Sequence, residues 1–200
     1  MTHRLYLNDD WLFTEQFEDS LAAPEYPENT LQPVRLPHTC KETPFHYFDE
    51  SLYQMISGYR RHLLIPKDWQ GKQILLTFEG AAHDSTVFCN GKKVGEHHCG
   101  YTAFTVDLTD NVLYGQDNLL CVRLDSRENL NVPPFGYVID YMTYGGIYRD
   151  VLLEVKEKVS FSDIFVHTAI DFSSSPVTAQ ITSEITLTES AENVTIRQYY

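Results

Sequence analysis

The sequence lacks any apolar run close to the ~20 residues that a membrane-spanning helix requires. Its first residues lead into Asp9 and Asp10 without an apolar segment, so we predict no signal peptide and a cytoplasmic protein. Basic residues are few: 15 Lys and Arg stand against 28 Asp and Glu, which gives a formal net charge of −13. This charge repels phosphate backbones and anionic lipid headgroups, so we expect neither a nucleic-acid partner nor a membrane partner.

Cysteine is also scarce, and no two of the four cysteines have the C-x-x-C spacing of zinc or redox sites. His97 and His98 precede Cys99, but no second cluster of metal ligands accompanies them, so reduced and partly buried thiols are the simpler interpretation. The sequence contains no phosphate-binding loop, dinucleotide fingerprint, G-x-S-x-G or H-E-x-x-H motif. The residue types alone therefore identify no catalytic site.

Helical periodicity is missing over any stretch of ten or more residues, whereas strand signals are frequent. Asn90-Gly91 is a strong hairpin signal, because both positions of the tight turn need a positive φ. Short strands separated by Gly, Asp and Asn turns predict an all-β sandwich or jelly roll. The predicted strands are 59–65, 73–79, 85–89, 92–95, 101–108, 118–125 and 147–155.

The two ends of the chain have a different texture. Residues 21–37 contain four prolines and are predicted to be a wrapping loop, while Trp11 and Phe13 are expected to pin the amino-terminal segment to the sheet. Beyond Lys156 the strands become rich in Thr and Ser, with candidates at 159–169, 177–187 and 194–200. We predict domains at 1–157 and 158–200. The second is an incomplete sandwich, since a sandwich needs about seven strands, and we expect the chain to be a fragment.

Three motifs, in the same order, resemble the amino-terminal sugar-binding jelly roll of family 2 glycoside hydrolases. They are 36–39 before the strand that contains 58–61, 87–97 followed by 100–109, and 144–151. The resemblance covers about residues 5–155, and the remainder resembles the start of the immunoglobulin-like domain that follows in these enzymes. It implies a galactose-binding-domain-like jelly-roll β-sandwich followed by an incomplete immunoglobulin-like sandwich. The 37–61 stretch and the region of Asp140 most resemble β-galactosidases.

The resemblance also implies that catalysis takes place elsewhere in a longer protein. Retaining glycosidases use two carboxyl groups about 5–5.5 Å apart, and family 2 enzymes carry both on a downstream barrel, with the acid/base in an Asn-Glu dipeptide. This chain contains no Asn-Glu dipeptide, so it has no catalytic residues and should be inactive alone. Its implied role is to buttress the barrel of an enzyme that hydrolyses terminal β-galactosides, and to contribute to the rim of the substrate pocket.

Asp140 is the principal candidate for that rim, within the long segment 127–144. In the family an Asp at this place binds sugar hydroxyls, and in some galactosidases it helps to hold a monovalent cation; a carboxylate suits both. Asp140 is therefore predicted as a substrate-binding residue and a metal ligand, the alternative being an Asp that caps a turn. Tyr137 and Tyr141 either stack on the sugar or anchor the core. His38 either faces the barrel and the substrate or hydrogen-bonds locally.

Several alternatives remain open. One alternative is that the parent enzyme is a β-glucuronidase or a β-mannosidase, since both families of enzyme share this framework. Two further functional hypotheses are a free-standing carbohydrate-binding module and a structural domain for oligomer assembly. The prediction leaves open whether the protein forms a homo-oligomer. Arg149 is expected to pair with a carboxylate, either a neighbour of Asp150 or Asp107, as a structural contact. The chain itself is predicted to need no cofactor, and its expected partners are a β-galactoside and its own catalytic barrel.

Overall fold

A computed structural model describes residues 3–42, 46, 49–132 and 143–199. Short 3₁₀ turns occur at Asp19–Ala22, Glu28–Thr30, Glu50–Tyr53 and Lys67–Trp69, and no α-helix occurs in these ranges. Within the same ranges no helix has the length and apolarity needed to span a bilayer. The strands are β1 His3–Tyr6, β2 Trp11–Thr14, β3 Gln32–Val34, β4 Ile56–Ile65, β5 Gln73–Phe78, β6 Asp84–Cys89, β7 Lys92–His98, β8 Phe104–Asp107, β9 Gln116–Asp125, β10 Val151–Lys156, β11 Phe161–Asp171 and β12 Thr178–Leu187.

The chain forms two compact units, residues 2–155 and 156–200. The first unit is built on two sheets. One sheet has four strands in the order β1-β10-β5-β8, and the other has six in the order β3-β2-β4-β9-β6-β7. The prediction of an all-β sandwich is therefore confirmed.

The core of the first unit follows from side-chain alternation along the strands. In β5 and β6 every second residue is buried, as expected for strands with one face on the core. The central strand β9 pairs with both β4 and β6, and most of its residues are buried. Burial of each large apolar side chain contributes about 1.5–3 kcal/mol. The largest fully buried apolar side chains include Trp11, Tyr59, Ile65, Ile74, Leu76, Phe78, Leu108 and Leu120.

The hairpin predicted at Asn90-Gly91 is confirmed. Asn90 has φ 50° and Gly91 has φ 79°, and the turn joins the antiparallel strands β6 and β7. The Asn90 side chain adds contacts that the turn signal does not predict. Its amide donates to Asn118 Oδ1 at 2.8 Å, and its oxygen accepts from the backbone N–H of Leu119 at 2.9 Å. The turn is therefore tied to β9 as well as closing its own hairpin.

The amino-terminal segment is more regular than predicted. Trp11 and Phe13 are buried on β2, which pairs with β4, so their role as anchors is confirmed. The loop prediction for 21–37 is wrong at Gln32–Val34, which pairs with β2 as an edge strand. Pro33 lies within this strand, and proline is tolerated at an edge because its missing N–H donor is not needed there. Part of the same segment, including Leu21 and Leu31, packs in a second small apolar cluster with Cys121.

The second unit contains an antiparallel ribbon of two strands, β11 and β12. The predictions for 159–169 and 177–187 are confirmed to within two residues. The prediction of a strand at 194–200 is wrong for residues 194–199, which the structure describes without strand pairing. Alternation in sequence indicates which face a residue would occupy, but a strand also needs a hydrogen-bonded neighbour. The immunoglobulin-like identity of this unit stays a prediction.

Two further strand predictions are wrong at their starts. The predicted strand 147–155 begins only at Val151, because the backbone before it bonds to other segments: the carbonyl of Ile147 accepts from the N–H of His38 at 2.8 Å. The predicted strand 101–108 begins at Phe104. In both cases the central and final residues of the strand are predicted correctly, and the residues before the strand form irregular backbone.

Candidate functional site

A polar cleft of about 510 Å³ lies at the end of the six-stranded sheet where β6 begins and β9 ends. Asp84, the first residue of β6, is the cross-strand partner of Asp125, the last residue of β9. The antiparallel pairing therefore brings together two residues that are distant in sequence. The cleft is lined by His83, Asp84, Asp125, Arg127, Glu128, Asn129, Leu130, Asn131 and Val132.

Asp125 and Arg127 form the tightest ion pair of the cleft. Arg127 donates from Nε to Asp125 Oδ1 at 2.8 Å and from Nη2 to Oδ2 at 2.7 Å, and Arg123 approaches Oδ2 at 3.2 Å. Partial burial acts to raise the pKa of Asp125, but the hydrogen bonds from Arg127 and the charges of both guanidinium groups outweigh it and lower the pKa. Asp125 is therefore an ionised carboxylate whose charge is matched within the protein.

His83 is the most deeply buried polar side chain of the cleft, with 1% of its surface exposed. Its backbone N–H donates to the carbonyl of Asp125 at 3.1 Å, which fixes the residue against the end of β9. Burial lowers the pKa of His83, although a hydrogen bond with the Arg127 backbone and the charges of Glu128 and Asp125 act in the opposite direction. The ring is therefore neutral at neutral pH.

Gly145 and Gly146 pass through the crowded floor beside the cleft. The N–H of Ala82 donates to the carbonyl of Gly146 at 3.0 Å, and the N–H of Cys40 donates to that of Gly145 at 2.8 Å. A Cβ atom on Gly146 would lie 2.4 Å from the carbonyl oxygen of His38, and Gly146 has φ 131°. Only glycine fits this position, because a side chain would meet both a backbone clash and an unfavourable φ.

His38 is half-buried next to this glycine segment, where its backbone N–H donates to the carbonyl of Ile147. Its Nδ1 atom is 2.9 Å from the hydroxyl of Tyr59, and its ring packs edge-on against Phe13 with the centroids 4.8 Å apart. Burial lowers the pKa of His38. The ring is held locally by these two neighbours, and contact between His38 and a substrate stays a prediction.

Asp140, Tyr137 and Tyr141 lie outside the described residues. The substrate-binding and metal-binding predictions for Asp140, and that for Tyr141, therefore stay predictions. Where the structure does describe the chain, no group of three or more His, Cys, Asp or Glu residues is arranged to hold a metal ion. Asp125 does not fit a cation site, because its oxygens already accept from two guanidinium groups. The monovalent-cation prediction thus depends on Asp140.

Arg149 differs from its predicted contact. Its guanidinium carbon lies 5.6 Å from the ring centroid of Tyr148, and the side chain is exposed. Among the described residues it forms no ion pair with Asp107 or another carboxylate. Contact with the face of Tyr148 replaces the predicted ion pair.

The cleft residues His83, Asp125 and Arg127 were not predicted from the sequence. His83 follows Gly80-Ala81-Ala82, a run of small residues without a motif. The only available signal was the charged pair Asp125 and Arg127 directly after an apolar strand and at the start of a long connection. The spacing of residues within one segment of the sequence cannot reveal a site that cross-strand pairing assembles from two segments.

The two-sheet sandwich with a polar cleft at one end places this chain in the class of β-sandwich domains. A family model described as "Glycosyl hydrolases family 2, sugar binding domain" matches residues 41–157. This chain belongs to that family.

Relatives and solved structures carry two different names. The chain is 38% identical over 162 residues to a beta-galactosidase of Thermoanaerobacter pseudethanolicus, covering 80% of this chain and 22% of the relative. It is 34% identical over 160 residues to a beta-glucuronidase of Bacteroides fragilis, with 80% and 22% covered. The crystal structure of Bacteroides uniformis beta-glucuronidase superposes with a TM-score of 0.74 at 29% identity, covering 84% of this chain and 20% of that one. The chain therefore spans about a fifth of the length of these proteins.

Proposed function

We propose that this chain is the non-catalytic sugar-binding domain of a retaining glycoside hydrolase that hydrolyses terminal β-galactosides. The observation that supports this most strongly is the family match over residues 41–157, which includes every residue of the polar cleft. The choice of galactoside is supported by the identity of 38% with a beta-galactosidase, against 34% with a beta-glucuronidase.

In this proposal the domain buttresses a catalytic barrel and forms part of the rim of its substrate pocket. Val132, the last described residue before Asp140, lines the cleft. A carboxylate at the rim accepts hydrogen bonds from sugar hydroxyls, while two barrel carboxylates perform the double displacement. Asp140, Tyr141 and His38 are the proposed rim residues.

The wider organisation is also proposed. The domain boundary is placed at 157/158, with an immunoglobulin-like domain following it, and the catalytic barrel is the expected partner. A cytoplasmic location is supported by the four free cysteines Cys40, Cys89, Cys99 and Cys121, because secreted proteins usually oxidise their cysteines to disulfides. A monovalent cation at Asp140 and a homo-oligomeric assembly are part of the same proposal.

A β-glucuronidase parent is the second candidate, favoured by the beta-glucuronidase names among the relatives and structures. A substrate comparison separates the two. The full-length polypeptide that contains this chain should hydrolyse 4-nitrophenyl β-galactoside with a higher kcat/KM than 4-nitrophenyl β-glucuronide, and the 200-residue chain should hydrolyse neither. A preference for the glucuronide would replace the galactosidase proposal, and hydrolysis by the 200-residue chain alone would refute its non-catalytic role.

A further inference from the structure

The hairpin sequence Asn90-Gly91 is chemically labile as well as suited to a tight turn. The backbone nitrogen of a residue that follows asparagine can attack the side-chain carbonyl carbon of the asparagine and close a five-membered succinimide ring. Asparagine is thermolabile for this reason, and glycine in the next position hinders the attack least, because it has no Cβ atom. The surroundings of the Asn90 amide therefore decide how fast this turn is modified.

Three hydrogen bonds hold the side-chain amide of Asn90. Its nitrogen donates to Asn118 Oδ1 at 2.8 Å and to the carbonyl of Asn111 at 2.9 Å. Its oxygen accepts from the backbone N–H of Leu119 at 2.9 Å. The backbone N–H of Asn90 also donates to the carbonyl of Leu119 at 2.8 Å. The first residue of the turn is thus attached to β9 through both its backbone and its side chain.

Asn118 fixes the orientation of the Asn90 amide. Asn118 is 1% exposed, and its nitrogen donates to three backbone carbonyls, including that of Leu113 at 2.9 Å. Its oxygen accepts from the backbone N–H of Leu113 at 2.6 Å, so the Asn118 amide cannot turn over without losing all four of these bonds. The Asn90 nitrogen therefore faces two fixed acceptors, and only a hydrogen-bond donor fits between them.

We propose that Asn90 is a deamidation site, and that its modification makes the opening of this hairpin irreversible. In the first step the Gly91 nitrogen bonds to Cγ of Asn90 and the C–N bond of the side-chain amide breaks. The proton of the Gly91 N–H passes through water to the departing nitrogen, which leaves as ammonia. Water then adds to one of the two ring carbonyls and breaks a ring C–N bond, which gives an aspartate or an isoaspartate residue.

The native contacts both slow this reaction and make it irreversible. While the hairpin is attached to β9, the nitrogen that must depart is held between two acceptors, so the amide reacts only after the turn has opened. The product has a carboxylate oxygen where Asn118 Oδ1 and the carbonyl of Asn111 require a donor. The modified turn therefore cannot restore its attachment to β9. This site limits the lifetime of the folded domain, whichever glycoside the parent enzyme hydrolyses.

The first test is ageing of the chain at mildly alkaline pH, in buffer and in concentrated urea, followed by peptide mapping with mass spectrometry. Deamidation of Asn90 should be at least about 30-fold slower in buffer, which corresponds to an opening that costs about 2 kcal/mol. Below the unfolding transition, its rate should rise with urea in proportion to exchange of the Leu119 amide hydrogen, because both require loss of the bond to Asn90 Oδ1. Equal rates in buffer and urea, or a rate that does not follow this exchange, would overturn the proposal.

The second test measures the consequence of the modification with Asn90→Asp, for which Asn129→Asp is the matched control. Asn129 is exposed, and its side-chain oxygen accepts from the N–H of Asn131 at 2.9 Å, a bond that a carboxylate also makes. Asn90→Asp should lower the folding equilibrium constant at least about tenfold, and Asn129→Asp should leave it within about twofold of the wild type.

Aged wild-type protein gives the same comparison without a variant. After its return from urea to buffer, a protease should digest the molecules modified at Asn90 at least about tenfold faster than the unmodified ones, because digestion follows the population of the open form. Equal digestion of the two, or an Asn90→Asp variant as stable as the wild type, would overturn the proposal.

Discussion

At the scale of single residues, Arg60 is a charged side chain whose burial requires several hydrogen bonds. It is fully buried on β4, and its Nε donates to Glu28 at 2.9 Å. One Nη atom donates to the carbonyl of Ala23 at 2.9 Å and also contacts that of Leu21. These bonds attach the amino-terminal wrapping segment to the sheet, because they end on both of its short 3₁₀ turns.

Replacement of Arg60 by methionine should therefore lower the free energy of unfolding by about 3 kcal/mol, since the two carbonyls lose their donor and Glu28 loses one of its two partners, the other being His62. The measurement is the urea midpoint. Arg35→Met is the matched control, because Arg35 pairs with Asp9 on the exposed surface, and its loss should cost less than about 1 kcal/mol. Equal costs in the two variants would contradict this account of Arg60.

His62 makes the stability of the same region depend on pH. Partial burial acts to lower its pKa, but hydrogen bonds to Asp117 and Glu28 outweigh this and raise the pKa. A raised folded pKa stabilises the protein fully below the unfolded value of about 6.5, and this contribution is lost as the pH rises through the folded pKa. His62→Gln should therefore cost more stability at about pH 6 than at about pH 9. Urea denaturation at both pH values measures this, and a pH-independent cost would exclude the predicted linkage.

The four cysteines should differ in reactivity. A hydrogen bond from Thr102 lowers the pKa of Cys99, whereas burial raises the pKa of Cys89 to about 11 and that of Cys121 to about 12. Because the thiolate is the nucleophile, iodoacetamide should modify Cys99 first in the folded chain. Peptide mass spectrometry over time follows the order, and Cys99→Ser should remove the fast phase. Equally fast labelling of Cys121 would show that the native core opens on that timescale.

At the scale of elements, the floor beside the cleft depends on Gly146. Gly146→Ala should destabilise the chain by about 3 kcal/mol or more, because the new Cβ meets the carbonyl oxygen of His38 and the φ of 131° is unfavourable for alanine. Gly71→Ala is the control: φ is +89° there, but no atom lies within 4 Å of the Cβ. Its cost should be near 1–2 kcal/mol from the backbone alone. The difference between the two thermal unfolding midpoints measures the clash.

The elements also show what sequence patterns can predict. Strands β5, β6 and β9 were predicted because each has six or more residues and is rich in apolar or β-branched side chains. The edge strands β1 and β3 were not predicted, since they have only four and three residues and one contains Pro33. These strands form because they pair with strands that are distant in sequence: β1 pairs with β10, the last strand of the first unit. The polar cleft was missed for the same reason, because pairing between β6 and β9 creates it.

At the scale of the whole molecule, the two units should differ in local stability. Every residue of β11 is exposed, whereas β9 is largely buried, and a two-stranded ribbon is marginally stable by itself. Amide protons of β11 and β12 should therefore exchange at least about 100-fold faster than those of β9. Hydrogen exchange followed by mass spectrometry gives this comparison within one sample. Similar protection of both units would contradict the proposed separation into domains near residue 157.

The domain as a whole is proposed to contribute the rim of a glycosidase pocket, and Asp140→Ala tests that claim most directly. The variant is made in the full-length polypeptide, with Asp171→Ala, at an exposed turn of the second unit, as the matched control. Steady-state kinetics with a β-galactoside should show kcat/KM reduced by about tenfold or more for Asp140→Ala, since a hydrogen bond to a charged group contributes about 1.5–3 kcal/mol. The Asp171→Ala protein should match the wild type. Unchanged kcat and KM in Asp140→Ala would contradict the account.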